Sequence, residues 1–274
     1  MFEPEYIANH AWWEERAGVH PTTNFYHRHI QSLRNGGITL HEPELAEVGD
    51  VAGKQLLHLQ CHIGTDSLSW ARQGAIVTGV DFSKVAIGQA REFADELKLP
   101  AKFVHSDVYE LPDRLSGQFD VVFSSYGTII WLHDLQRWAA TIAHFIKPGG
   151  FFYIVDTHPM LLTIDEKLTE AAQLVRLKYP YFEHADPLRF DEAGSYADRQ
   201  LPTKANVTYE WPHSLSEILM SLISAGLSIE MFAEHRHAPW QALPCCTQGP
   251  DTMYHLPEIL RNRLPLLFSL KARK

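Results

Sequence analysis

Residues 56–81, LLHLQCHIGTDSLSWARQGAIVTGVD, restrict the fold of this chain more than any other stretch. Leu56, Leu57 and Leu59 make the apolar run of a buried strand, Gly64 permits a close turn, and Thr65 or Asp66 can cap a following helix. Ile76, Val77 and Val80 lead into a second strand that stops on Asp81. Strand, turn, helix and strand in this order form a βαβ unit. Its geometry carries chemistry. The turn at the carboxyl end of the first strand leaves the helix's free N–H groups facing a ligand, and the acid closing the second strand stands beside that ligand's ribose.

The same turn also excludes. A dinucleotide fingerprint needs G-x-G-x-x-G, yet Gln60, Cys61 and His62 precede Gly64. A pyrophosphate has little room against those side chains, and no Tyr-x-x-x-Lys follows the fourth expected strand. Both points weigh against the first alternative, an NAD-dependent oxidoreductase. They suit a nucleoside without phosphates, which makes S-adenosylmethionine the expected cofactor.

Beyond this unit strands and helices keep alternating. Residues 84–99 place Val85, Ala86, Ala90, Phe93, Ala94 and Leu97 at helical spacing before Pro100 ends the run. Strands are expected at 101–108, with Asp107 at the end, at 119–124 (FDVVFS) and at 151–156 (FFYIVD). A helix is expected at 132–146, with KPGG turning into the last of these strands. Right-handed crossovers wind such units into a doubly wound parallel sheet. A helix at 215–225 and strands at 227–235 and 264–272 follow.

One domain is expected over 1–274: an N-terminal helical segment (1–50), a cofactor-binding half (51–157), an insertion (158–213) and a C-terminal helix with strands (214–274). The insertion is longer than a strand-to-helix connection needs, and such segments shape or cover sites. Within it, 179–190 and 207–211 are expected to be extended and to form a lid hairpin.

Composition narrows the partners. A chain of 274 residues, 45% apolar, can bury one large core. Its net charge of −9 and pI near 5.9 repel a phosphate backbone, so nucleic acid is not an expected partner. The start, MFEPEYIANHAWWEER, has no basic region before an apolar one, and runs such as FFYIV are far too short to span a bilayer. A cytoplasmic protein without membrane attachment is expected. Cys61, Cys245 and Cys246 give no disulfide framework. Among sixteen histidines, the pairs His27 with His29 and His235 with His237 lack third and fourth ligands in a recognised pattern, so no metal site is expected.

The loop LQCH-x-G-x-D (Leu59, Gln60, Cys61, His62, Gly64, Asp66), followed by LSWAR, GA, VTGVDFS and AI, resembles a bacterial-type subgroup of the class I S-adenosylmethionine-dependent methyltransferases. The likeness runs over nearly the whole chain. It departs from the broad family at His58, where an acid is usual, and at Gln60 and His62, where glycines are usual. The resemblance implies a Rossmann-like α/β fold: a doubly wound, mostly parallel seven-stranded sheet with an antiparallel last strand, an N-terminal helical cap and a lid after strand five. It also implies methyl transfer from S-adenosylmethionine to a small-molecule acceptor.

Ligands of an open parallel sheet sit over the strand ends at the switch point. Asp81 can there accept from both ribose hydroxyls, or cap the helix that begins at Lys84. Phe82 either lies against the adenine or packs in the core. Asp107 can accept from the adenine amino group while the Val108 N–H meets a ring nitrogen; an ordinary turn aspartate is the alternative. By resemblance, Gln60, Cys61, His62 and Gly64 hold the methionine end, Ser83 belongs to the cofactor loop, and Ser124 and Ser125 pack near the sulfonium. Tyr26 reaches the methionine moiety from the N-terminal segment, and Trp12 or Trp13 borders the acceptor. Cys61 reads as a packed residue and not a nucleophile. His58 reads as a hydrogen-bonded core residue.

Methyl transfer needs alignment above all, because the sulfonium is already electrophilic; orientation supplies roughly 7–11 kcal/mol at best. A base is required only for a hydroxyl, a phenol or a protonated amine. SYGTIIWLHD offers Tyr126, His133 and Asp134, with His133 first because an ordinary imidazole titrates near neutrality; an exposed helix-start histidine without a catalytic role is the alternative. His158, directly after strand five, is the second candidate. A non-catalytic S-adenosylmethionine-binding protein is the remaining alternative.

Overall fold

Three helices, α1 (Glu3–Val19), α2 (Asn24–Arg34) and α3 (Glu42–Val48), lead into the sheet of the computed structural model, which describes residues 3–165, 176–182 and 184–274. Strand β1 (Gln55–Leu59), helix α4 (Thr65–Arg72) and strand β2 (Ile76–Asp81) are the βαβ unit, and β1 pairs β2 in parallel. Helix α5 (Lys84–Leu97) leads to β3 (Ala101–His105). The short α6 (Leu111–Arg114), β4 (Phe119–Ser125), α7 (Leu135–Phe145) and β5 (Ile146–Thr157) come next.

The insertion opens with the short α8 (Pro159–Leu162) and contains β6 (Leu188–Asp191) and β7 (Val207–Glu210), paired antiparallel. Among the described residues the paired strands thus begin at 188 and not at 179, and residues 166–175 and 183 of the insertion lie outside the described residues. Helix α9 (Leu215–Ser224) and β8 (Ser228–His235) follow, then the small strands β9 (His237–Ala238), β10 (Thr247–Gln248) and β11 (Tyr254–His255), and finally β12 (Leu267–Arg273).

The large sheet has the order β3-β2-β1-β4-β5-β12-β8. The terminal strand β12 inserts between β5 and β8 and runs antiparallel to both. The chain therefore reverses strand order beside β1, which opens a crevice at the carboxyl edge between β1 and β4.

Burial follows the two-residue period of the strands. Leu57, Val122, Phe152 and Leu270 face one core with Trp138 of α7 and Leu222 of α9. Their neighbours Leu56, Val121 and Tyr153 face the other, against Trp70 of α4. A strand buried on both faces needs apolar residues at successive positions, hence the runs LLHL and FFYIV. Three strand boundaries of the large sheet differ from expectation by three residues or more. Strand β3 stops at His105, where the bond from the Ser106 N–H to the Asp81 carbonyl at 3.0 Å is the last of the ladder with β2. Strand β5 starts at Ile146, with an irregular register opposite residues 119–121 that absorbs KPGG. Strand β12 begins three residues later than read, after the Leu266 N–H donates to the His235 carbonyl. Among the described residues no helix is long and apolar enough to cross a membrane.

Candidate functional site

Loops from the carboxyl ends of β1 to β4 converge on a cavity of about 490 Å³. Three non-glycine residues of its lining, Gln60, His62 and Tyr126, hold left-handed backbone, at φ 55°, 48° and 49°. Such a conformation costs a side-chain-bearing residue about 1–2 kcal/mol. It gathers at functional sites when the surroundings enforce it. The loop after β1 is enforced: the Cys61 N–H donates to the Val80 carbonyl and the His62 N–H to Asp81, each at 2.8 Å. Gly64, at φ 78°, is the N-cap of α4 in place of Thr65 or Asp66. A Cβ there would stand 2.8 Å from the Phe103 ring, so the position has room only for glycine.

At the β2 and β3 ends stand two acids. Asp81 is buried, with one oxygen accepting from the His62 N–H and the other from the Ser83 N–H, both at 2.8 Å. Burial lifts its carboxyl to about 6, against the lowering effect of those two N–H groups. Each oxygen keeps a lone pair for a further donor. Phe82 lines the cavity and meets His10 and Tyr6 of α1 edge-on, at 5.4 and 5.9 Å. Asp107 accepts from the Tyr109 N–H at 2.7 Å, and burial raises its carboxyl above the usual range. Tyr6, Phe82, Ser106 and Asp107 also line a second cavity of about 250 Å³.

The N-terminal segment and the insertion cover the cavity together. Arg16 of α1 is fully buried, and its guanidinium donates to the carbonyls of Gly194 and Ala205 and to Thr203 and Asn206. His62 Nε2 meets His20 Nδ1 at 2.8 Å, and His20 Nε2 meets the Ser195 hydroxyl at 3.1 Å. Burial pushes both imidazoles far below their ordinary range, His62 to about 3, so both are neutral at pH 7. The Tyr26 hydroxyl bonds that of Tyr196, and Trp13 packs edge-on against His62 at 5.4 Å. Trp12 lies instead against Trp131, beneath Arg16.

On the β4 and β5 side the organiser is Asp156, which sequence reasoning missed. Buried at the end of β5, it accepts from the N–H groups of Gly127, Thr128, Ile129 and Thr157 and from the Thr128 hydroxyl. It thereby folds the loop that carries Tyr126. Trp240 stands edge-on to Tyr126 at 5.2 Å. Burial pushes the Tyr126 hydroxyl well up, and Glu44 of α3, fully buried and itself lifted to about 8, raises it further. Asp66 accepts from the hydroxyls of Thr39 at 2.6 Å and Ser125 at 3.1 Å.

The structure sorts the expected residues. Gln60, Cys61 and His62 line the cavity, as do Asp81, Phe82, Asp107 and Val108, and likewise Tyr26, Ser125, Tyr126 and His133. Cys61 is packed, with burial pushing its thiol well up, and His58 bonds Ser67 at 2.8 Å while its other face borders the cavity. Gly64, Ser83, Ser124, Asp134 and His158 are not in the lining; Asp134 caps α7, accepting from the Arg137 N–H at 2.9 Å. Gly64 shapes the turn. The Ser83 hydroxyl is taken by the Ala86 N–H as the cap of α5. Ser124, one residue before Ser125 on β4, points to the opposite face of the sheet and is fully buried. His158 caps α8 through the Met160 N–H and meets Glu234 at 2.9 Å. His133 rests against Tyr109 and Trp211 at the rim, its imidazole lowered by burial. Among the described residues no three His, Cys, Asp or Glu side chains gather as a metal requires.

Residues 56–150 match a family model described as a methyltransferase domain. The chain superposes on an S-adenosylmethionine dependent methyltransferase from Mesorhizobium loti with a TM-score of 0.56 and 20% identity, covering 89% of this chain and 96% of that one. The fold is that of a methyltransferase. A glycopeptide N-methyltransferase solved with S-adenosylmethionine shares this methyltransferase fold at a TM-score of 0.52 and 13% identity, over 84% of this chain and 91% of its own. A ubiquinone biosynthesis O-methyltransferase from Escherichia coli O6:H1 is 32% identical over 146 residues, 53% of this chain and 55% of the relative. One of the same description from Aromatoleum aromaticum is 28% identical over 142 residues, 52% of this chain and 55% of the relative. The chain thus spans about half the length of these curated relatives.

Proposed function

We propose that the protein transfers a methyl group from S-adenosylmethionine to a small-molecule acceptor. The observation that carries this reading is the meeting of Asp81, Asp107 and the 60–62 loop around one cavity at the carboxyl edge of a methyltransferase fold. Its volume, about 490 Å³, suits a nucleoside-sized ligand. The lining also has the right chemistry. Asp81 keeps two lone pairs for the ribose hydroxyls, Phe82 offers a face or edge to adenine, and Asp107 with the Val108 N–H offers an acceptor and a donor. The buried Gln60 Oε1 has no hydrogen-bond partner, while its Nε2 is fixed on the Thr128 carbonyl at 3.0 Å. That oxygen awaits a donor such as the methionine ammonium, and the hydroxyls of Tyr26 and Ser125 complete the polar wall.

S-adenosylmethionine, when bound, supplies the electrophilic methyl group. The chain's part is to orient and to dry: Trp13, Tyr26 and the insertion cover the sulfur end, and the loop held by Asp156 sets the wall opposite. Tyr126 and His133 are the candidates for handling an acceptor proton. Tyr126 lies deeper, and His133 is neutral and so able to accept. His158 and Ser124 have no place in this scheme.

Calorimetric titration with S-adenosylhomocysteine tests the reading: one site per chain is expected, and its absence overturns the proposal. Asp81→Ala should weaken that binding by about 1–3 kcal/mol through lost charge-assisted hydrogen bonds. A protein that binds the cofactor product and turns over no acceptor would be a binding protein and not an enzyme.

A further inference from the structure

The ionisable lining of the cavity is one-sided. Among the described residues Asp66, Asp81, Asp107 and Glu210 border it, and no Lys or Arg does. Its five histidines, His29, His41, His58, His62 and His133, are all held below their ordinary range by burial. Neutral imidazoles add no positive charge to that lining.

The acids divide by position. Asp81 and Asp107 stand at the adenosine end, over β2 and β3. Asp66 stands across the end of β4, where its partners are the Thr39 and Ser125 hydroxyls and not a cation. Tyr126 and Trp240, 5.2 Å apart and edge-on, border the same end, with His41 edge-on to Tyr126 at 6.0 Å. A carboxylate beside aromatic walls in a space shielded from water favours an organic cation by direct charge and by cation–π attraction. It repels an anion.

We propose that the acceptor is an amine on an apolar or aromatic body, admitted as its cation between Asp66 and the Tyr126–Trp240 wall, and that acceptors bearing carboxylate or phosphate are excluded. This deepens the methyltransferase reading and rests on it. Before transfer the ammonium gives one proton to a neutral imidazole of the lining, His133 at the rim or His41 beside Tyr126. The freed nitrogen lone pair attacks the methyl carbon as the carbon–sulfur bond breaks, and the positive charge passes from sulfur to the methylated nitrogen.

The test uses the full chain saturated with S-adenosylhomocysteine and two probes of like shape and opposite charge, phenethylamine and 3-phenylpropionate. Calorimetry should show the amine binding at least about tenfold more tightly, as like charge in a closed site disfavours the acid. Asp66→Asn, close in shape, should erase that preference and leave affinity for S-adenosylhomocysteine unchanged. Trp240→Leu should weaken the amine alone. A complex that binds neither probe, or prefers the acid, overturns the proposal. So does an Asp66→Asn variant that loses S-adenosylhomocysteine affinity in step, because Asp66 would then serve the methionine ammonium. If S-adenosylhomocysteine fails to bind the unaltered protein, the cofactor reading falls first and this inference with it.

Discussion

Asp81 joins the fold to the site at a single carboxylate. In the folded chain its carboxyl sits at about 6, raised from 3.8 by burial. Only the ionised form accepts from both ribose hydroxyls. Affinity for S-adenosylhomocysteine is therefore expected to be flat above pH 7 and to fall as pH drops through 6, by about tenfold per unit once the proton wins. Titrations at pH 8, 7, 6 and 5 check this; a flat profile down to pH 5 rejects the role. Asp81 and Asp107 were legible in the sequence because an acid after a strand in a βαβ series has few other places to point. Asp66 was read as a helix cap, although Gly64 takes that position. Its carboxylate turns instead to Thr39 and Ser125, 27 and 59 residues away, and local spacing carries no trace of such partners. Ser124 and Ser125 show the limit of resolution: reading both left open which one the pleat turns inward.

At the scale of elements, ends and loops decide more than interiors. Helix α5 closes on the exposed Lys98, whose backbone is left-handed at φ 54°. Lys98→Gly removes the strain at a position far from the cavity lining. It should stabilise the protein by about 0.5–1 kcal/mol. That corresponds to a rise in Tm of about 1–4 °C with unchanged cofactor binding, as a thermal melt would read. The loop after β4 depends on Asp156 in the opposite way. Asp156→Ala strands four backbone N–H groups and one hydroxyl. It should cost on the order of 3 kcal/mol or more, since each buried unsatisfied donor costs about 1–3. Urea denaturation measures the loss. The alternating elements themselves were readable from apolar period and from Pro and Gly punctuation. The boundaries at 105, 146 and 267 were not, because each is set by pairing with a distant chain segment.

For the whole molecule, buried titratable groups set the response to pH. Glu44, at about 8 when folded and 4.5 otherwise, binds its proton first in the native state. From pH 8 down to 6.5 that uptake raises stability. Below 6.5 the unfolded chain protonates His20, His58 and His62, which the folded chain keeps neutral. These three outweigh the uptake by Glu44 and Asp81. Stability should therefore peak near pH 6.5 and decline on further acidification by about 1.4 kcal/mol per unit for each net proton. Urea midpoints from pH 8 to 5 give the curve, and a monotonic rise toward acid would contradict it. The cover adds a final consequence. Arg16 reaches Gly194 across 178 positions and Asn9 bonds Tyr209 across 200, whereas β1 finds β2 after some twenty. Contacts this distant in sequence close late, so a refolding chain should build its sheet first and seal the chamber last. Indole fluorescence from Trp12 and Trp13 would then trail the recovery of far-ultraviolet ellipticity, and Arg16→Met would slow or abolish only that trailing step.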